Sequence, residues 1–351
     1  MKHGLLRATL AGIAVAAGAP GAGAQTYTMI DLGLPPGRTS IFGQAINGAG
    51  RAIVMAPLSG GGTRSYAWEN GTFTDLGQFD ASLGRNEAGD VNSSGVIVGS
   101  SWNTSGYPAR AWKRENGVYT QLPTLGGLYA NAYGINDSGQ ITGWAHLASP
   151  AFEQAFIYTN GSSVALGELP GYYRSTGFAI NDAGQVAADS AWTLLFSRTT
   201  IADTAEGIHD IGTLGGPACY THAINSLGHI VGWSYVRSPT NNKDSYLSHA
   251  YLWRDDVMTD LGDVPGFLIS IGAGLNDSDV CVGNMWDSTS FTTSHAFRWK
   301  DGVMEDLNAL VPAGTNGHVL RRAEAINNSG QILVTTLLSG TQRAVLLVPN
   351  P

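Results

Sequence analysis

The sequence predicts an all-β chain, a seven-bladed β-propeller with four antiparallel strands in each blade. Three observations carry this. A six-residue Asn turn recurs seven times at near-constant spacing, a longer phrase built on His-Ala-Phe or its variants recurs beside it, and the chain begins and ends on complementary fragments of that same repeat. Helical periodicity is absent throughout, while short alternating runs bounded by turn residues fill the chain.

The first 24 residues stand apart from the repeats. They place Lys2, His3 and Arg7 ahead of an Ala-rich apolar run and then Ala22-Gly23-Ala24, the arrangement of a secretory signal peptide. Cleavage near Ala24 is expected, leaving residues 25–351 as a single propeller domain that is secreted to the periplasm or beyond the cell. The apolar run is short and broken by Gly and Pro, so no membrane insertion is expected. The chain stops after "LLVPNP" with no sorting tail, which reads as release rather than anchoring.

Removing Lys2 and Arg7, with no acid lost, takes the formal charge from −8 to −10. Phosphate binding calls for a basic footprint, so nucleic acid is excluded as a partner. Only 13% of residues are charged, whereas there are 47 Gly and 9 Trp, a balance that suits tight turns between strands.

The turn reads AINGAG, DVNSSG, GINDSG, AINDAG, AINSLG, GLNDSD and AINNSG, with its Asn at Asn47, Asn92, Asn136, Asn181, Asn225, Asn276 and Asn327. Gly follows three residues later in six copies, and Asp279 in one. Asn bonds its own backbone two residues on and Gly supplies a positive φ, so each copy is a hairpin turn between a first strand and a β-branched second strand. A third strand is carried by the phrase around Arg64, Arg110, Gln154, His249, His295 and Arg343, with "TLLFS" near Thr193 as the fourth blade's match. Asn-Gly or Asp-Gly pairs at Asn70, Asn116, Asn160 and Asp301 then turn into a fourth strand, which ends on Asp-Leu-Gly or a close variant. A lone four-strand sheet cannot hide both its faces; stacking such sheets in a ring hides them and leaves only short edges. An open solenoid is the alternative. It would leave the first strand, about residues 27–33, and the last, "RAVLLVP", as exposed fragments, whereas a ring lets the N-terminal strand complete the last blade. A ring closed on itself also leads us to expect a monomer.

"SHAYLWRDDVMTDLG" (Ser248 to Gly262), "SHAFRWKDGVMEDLN" (Ser294 to Asn308), "DIGTLGG" at 210–216 and the seven Asn turns together resemble the HAF-repeat family of extracellular bacterial repeat proteins. The resemblance covers about residues 27–349. It implies an exported repeat protein of propeller form and carries no catalytic pattern to transfer.

Short turns on one face and long, variable connections on the other direct binding to the second face. Its candidate ligand-binding residues are Trp102, Tyr107, Trp144, His146, Tyr172, Tyr173, Arg174, Trp233, Tyr235 and Trp286. Trp102, Trp144, Trp192, Trp233 and Trp286 are placed where the second strands leave the sheet. Equivalent positions would make a partial aromatic ring for a sugar face; the alternative is that these Trp cap the spaces between blades. Counting back from the Asn, alternation pairs positions three and five on one side of each first strand, giving Tyr220 with His222 and Arg322 with Glu324 nearest the axis.

His249 and His295 occupy a slot that also takes Arg and Gln, so they read as a repeat-wide polar contact, not a metal set. No metal site and no cofactor are expected. Cys219 lies six residues before its turn and Cys281 just after the next, too far apart in height for a disulfide, so both thiols should be free. Two functions follow. The first is a secreted binding protein for a glycan or other surface polymer. The second is a polysaccharide lyase acting on a uronic-acid polymer, with Tyr220 or His222 as general base and acid and Arg174, Arg237 or Arg322 neutralising the substrate carboxylate.

Overall fold

The computed structural model describes residues 25–103, 109–149, 152–193, 196–237, 246–288 and 293–351, except for the side chains of Thr193, Arg237 and Tyr246. The expected leader, residues 1–24, and Tyr107 lie outside the described residues. Strand is the dominant structure, and the described helix is one 3-10 turn, Leu307–Ala309. No helix is long and apolar enough to cross a membrane.

The strands fall into antiparallel meanders in chain order. After β1 (Tyr27–Asp31) comes unit 1, with β2 (Phe42–Ile46), β3 (Ala52–Pro57), β4 (Thr63–Glu69) and β5 (Thr72–Asp75). Unit 2 has β6 (Arg85–Val91), β7 (Ile97–Trp102), β8 (Arg110–Glu115) and β9 (Val118–Gln121); unit 3 has β10 (Gly126–Ile135), β11 (Ile141–Leu147), β12 (Glu153–Thr159) and β13 (Ser162–Gly167). Unit 4 has β14 (Arg174–Ile180), β15 (Val186–Thr193), β16 (Phe196–Asp203) and β17 (Gly207–Asp210); unit 5 has β18 (Cys219–Ile224), β19 (Ile230–Arg237), β20 (Tyr246–Arg254) and β21 (Val257–Asp260). Unit 6 has β22 (Ile269–Leu275), β23 (Cys281–Trp286), β24 (Ser294–Lys300) and β25 (Val303–Asp306), and β26 (His318–Ile326), β27 (Ile332–Leu338) and β28 (Thr341–Pro349) end the chain. The strand β1 pairs antiparallel with β28, Tyr27 opposite Pro349 and Asp31 opposite Val345. Units 1 and 2 are joined into one sheet by a short parallel pairing, Thr63 to Arg85 and Arg64 to Asn86.

The repeated letters now have physical roles. In the first turn, Asn47 Oδ1 accepts from the Ala49 and Arg51 N–H groups at 3.1 and 3.0 Å, which fixes the hairpin. Its Nδ2 donates to the Asn92 carbonyl of the next unit at 3.0 Å. Asn92, Asn136, Asn181, Asn225 and Asn276 each pass the same bond onward, and Asn327 donates back to the Asn47 carbonyl at 3.0 Å. All seven Asn are buried. In Asp-Leu-Gly, the Asp accepts from the Gly N–H two residues on, as at Asp75 to Gly77 and Asp260 to Gly262, both 2.8 Å.

His249 and His295 meet the aspartates of the neighbouring fourth strand, Asp260 at 2.9 Å and Asp306 at 2.6 Å, and Arg64 meets Asp75 at 3.6 Å. The slot is thus a polar contact between third and fourth strands. Cys219 and Cys281 are free and fully buried in separate apolar clusters, one with Ile230 and Tyr251, the other with Phe297 and Trp299.

One strand differs from expectation. "TLLFS" straddles the link between β15 and β16; the third strand of unit 4 begins at Phe196, with Arg198 opposite Ser190 where His249 stands opposite Ser234 in unit 5. Thr199 and Thr200 replace the Ala and aromatic of the phrase, which hid the match.

Burial raises the Cys219 thiol pKa to about 11 and lifts that of Cys281 too. Neither should react with a maleimide at pH 7 in the folded protein, and both should react in denaturant, as mass spectrometry will show. Replacing one link of the Asn chain should cost more than an ordinary surface change. Asn181→Ala loses the acceptor for Gln185 N–H and the donor to Asn225, and should lower unfolding free energy by about 1–3 kcal/mol in a urea titration.

Candidate functional site

Each first strand carries the same irregularity. The register slips between Gly43 and Ala45, Ala88 and Asp90, Ala132 and Gly134, Gly177 and Ala179, Thr221 and Ala223, Gly272 and Gly274, and Ala323 and Ala325. The skipped residue is a β-bulge, and it is always position three before the Asn: Gln44, Gly89, Tyr133, Phe178, His222, Ala273 and Glu324. A bulge breaks alternation and re-aims the side chain it carries. The simple two-residue alternation expected for these strands therefore fails, and in units 1, 4, 5 and 6 and in β26 positions one, two and three all line the same space.

That space is a cavity of about 540 Å³ between the first strands. Its wall has an aliphatic band that includes Ile46, Ile180, Ile224 and Ile326, and beside it the bulge residues. Tyr133 and Phe178 stack at 5.4 Å between centroids. Arg322 donates through Nε and Nη2 to Glu324 Oε1 at 3.0 and 2.8 Å, and Thr335 donates to the same oxygen at 2.6 Å. His222 is exposed to solvent on this wall, with protein packed around part of the ring. That crowding pushes its pKa down to about 4 against a weaker opposing contact with the Gly272 backbone, so the ring is neutral at pH 7. Asp90, also on the wall, is pushed up to about 6 by burial, although it accepts from the Ile135 and Val91 N–H groups.

The other expected residues gather elsewhere. Tyr220 stacks on Trp233 at 4.2 Å, and Tyr235 meets Trp233 edge-on at 5.2 Å. Burial, with Tyr235 and Asp189 assisting, pushes the Tyr220 phenol up to about 12, and Arg174 works against this. Tyr220 and Arg174 thus belong to a cluster between units 4 and 5, whereas His222 and Arg322 line the axial cavity. The β19 backbone reaches Arg237, whose side chain is outside the described residues.

The tryptophans do not share one level. Trp144 and Trp233 lie mid-strand, opposite Asn131 and Tyr220, because β11 and β19 run on past them; Trp102 and Trp286 end their strands. Trp144 packs against His146 at 5.5 Å, and Tyr129 against the same ring at 5.2 Å; His146 also faces Glu153 at 3.9 Å. Trp102, Trp144, Trp233 and Trp286 are half-buried, as is Tyr172.

The open aromatic surface sits instead on units 3 and 4. Phe152, Tyr173, Trp192 and Phe196 are 45, 41, 56 and 48% exposed, Phe152 and Tyr173 just before strands and Trp192 and Phe196 at the adjoining ends of β15 and β16. Phe152 meets Tyr173 at 5.6 Å, and Trp192 meets Phe196 at 6.4 Å. The pairs are neighbours, because Tyr173 and Trp192 lie one residue beyond the paired Arg174 and Ala191. Sequence reasoning named Tyr173 and the Trp192 exit but missed Phe152, just before β12, and Phe196, which falls in the segment read as the third strand of unit 4. Among the described residues, no three His, Cys, Asp or Glu side chains gather as a metal-holding group.

No family model and no curated protein matches the chain. Solved structures do. The chain is similar to the β-propeller domain of the trilobed protease of Pyrococcus furiosus, with a TM-score of 0.57 and 10% identity over 88% of this chain and 95% of that one. It is similar to an oligogalacturonate lyase in complex with manganese, at 0.56 and 13% over 93% and 96%. It is also similar to prolyl endopeptidases, at 0.57 and 10% over 90% and 51%, so it spans about half their length. At these identities the likeness concerns fold alone: the chain is an all-β protein of the β-propeller class.

The axial groups make a measurable pH statement. His222, with its folded pKa below the ordinary 6.5, contributes stability above that value which is lost as pH falls towards 4. Asp90, raised from 3.8 to about 6, contributes stability below 3.8 which is lost as pH rises through 6. NMR titration should find the His222 ring neutral at pH 5.5; a midpoint near 6.5 would contradict the crowding described.

Proposed function

We propose that this chain is an exported seven-bladed propeller, a monomer of the HAF-repeat kind closed by β1 on β28, which binds a glycan or other surface polymer through its variable-loop face. The pairing of β1 with β28 and the return of the Asn bonds from Asn327 to Asn47 support the seven-blade ring. The observation that carries the binding reading is the open aromatic surface of Phe152, Tyr173, Trp192 and Phe196. Four large rings left this open on one face lie ready to stack on sugar faces, while Arg174 beside them suits carboxylate or sulfate groups.

The lyase reading takes support from the oligogalacturonate lyase among the similar structures. It is the weaker one. Its acid and base sit in different places, Tyr220 against Trp233 and His222 on the axial wall. Arg322, offered for a substrate carboxylate, is already engaged twice by Glu324.

A pull-down with a panel of neutral and acidic polysaccharides, run alongside absorbance for unsaturated products, tests both. We expect retention without product, and retention weakened about 10-fold or more when Phe152, Tyr173 and Trp192 are changed together to Ala. Product that disappears in Tyr220→Phe or His222→Ala would replace the binding reading with the lyase.

A further inference from the structure

The axial cavity contains a polar group that the fold leaves unanswered. Asn284, in β23, is only 7% exposed and lines the cavity, yet its amide has no hydrogen-bond partner among the described residues. Asn284 is thus a largely buried side chain whose amide meets only the space of the cavity, where a ligand can compete with water for it. At the same level in other units the residue is either engaged or apolar. Ser100 bonds Asn131, Asp189 accepts from Thr199 at 3.0 Å, Thr335 bonds Glu324, and unit 1 has Met55.

Unit 6 also presents only a small side chain at its bulge. Its bulge residue is Ala273, where units 3 and 4 have Tyr133 and Phe178, and the second-strand residues that reach the cavity are both from unit 6, Asn284 and Trp286. The small Ala273 therefore opens a bay towards Asn284. Across the bay, on β26, stands Glu324, whose Oε1 takes all three of its protein bonds and whose Oε2 takes none among the described residues. His222 adds a neutral ring, and the stacked Tyr133 and Phe178 add an apolar wall.

We propose that this axial cavity is a binding site for a single neutral sugar residue, such as a chain end, held by Asn284 and Glu324 Oε2 through adjacent hydroxyls and packed against Tyr133, Phe178 or Trp286. This rests on the glycan reading above and deepens it, because it adds an end-on site to the exposed face. A volume of about 540 Å³ falls within the ~300–1,000 Å³ of small-molecule sites, and an aromatic wall opposite an amide and a carboxylate is the chemistry that a pyranose offers partners for. Charge selects against uronates. The lining cation Arg322 is held by Glu324, and Asp90 adds a second carboxylate to the same wall.

The test is saturation-transfer NMR on the folded protein with methyl glycosides of glucose, galactose, mannose and xylose, and of galacturonic acid as the charged comparison. We expect transfer to at least one neutral glycoside, none to the uronate, and at least ~10-fold weaker binding in Asn284→Leu and in Glu324→Gln. Ala273→Phe should abolish it, and its folding is covered because two other units carry aromatics at that bulge. Transfer to none of the neutral glycosides, or transfer that survives Ala273→Phe, overturns the proposal. The polysaccharide pull-down separates this from the face reading: polymer retained by Ala273→Phe with no glycoside binding in wild type sinks the axial site alone, whereas glycoside binding without polymer retention sinks the face alone.

Discussion

The structure depends on one amide. Each turn Asn uses its oxygen within its own hairpin and its nitrogen on the carbonyl of the next Asn, so a single side chain both shapes a unit and fastens it to its neighbour. Only Asn does both. Asp lacks the donor, Ser and Thr lack the reach, and Gln would place the amide one carbon too far out. The bonds run buried from Asn47 through Asn327 and back, where little water competes for them and each is costly to leave unmade. The 51-residue steps between Asn225, Asn276 and Asn327 are accommodated because the extra residues enter the variable connections while the turns keep their contacts.

With the turns fixed, the rest of each first strand is set by geometry. A bulge three residues before the Asn turns one side chain per unit towards the axis. Those positions carry Gln, Gly, Tyr, Phe, His, Ala and Glu, while the flanking positions stay Ile, Val, Leu, Ala or Gly apart from Asp90 and Thr221. A repeat that holds its neighbours constant and varies one inward position separates scaffold from site within a single strand. Close backbone approach explains the small flanking residues: a Cβ on Gly134 would come within 3.1 Å of the Ala179 Cα and the Phe178 carbonyl oxygen.

Much of this was legible in the sequence, and the remainder was hidden for physical reasons. Turn residues announce themselves, because positive φ and Asx bonding restrict chemistry to a few residue types. The third strand of unit 4 was misplaced because Arg198, Thr199 and Thr200 keep the pairing while losing the aromatic that marks it elsewhere. The bulges could not be read, since an extra residue shows only against the partner strand, and "YTHAIN" alternates as well with the slip as without it. The same blindness put Tyr220 and His222 together, although one stacks on Trp233 and the other faces the axis. Phe152 and Phe196 were missed because the exposure of a residue at or just before the start of a strand depends on what its neighbours cover.

Asn284 shows why the unrepeated positions carry function. "VCVGNM" reads as an ordinary buried strand, and at this level other units supply a partner or an apolar side chain. Unit 6 supplies neither, and the residue that would screen Asn284 from the axis is reduced to Ala273. Two departures fall in adjacent strands of one unit, a small side chain at the bulge and an amide with no protein partner among the described residues. Each makes sense if something polar enters from the axis, since a ligand hydroxyl would satisfy the amide in the space that the small side chain leaves. The repeated letters make the ring of contacts, and departures from them give the axis its chemistry.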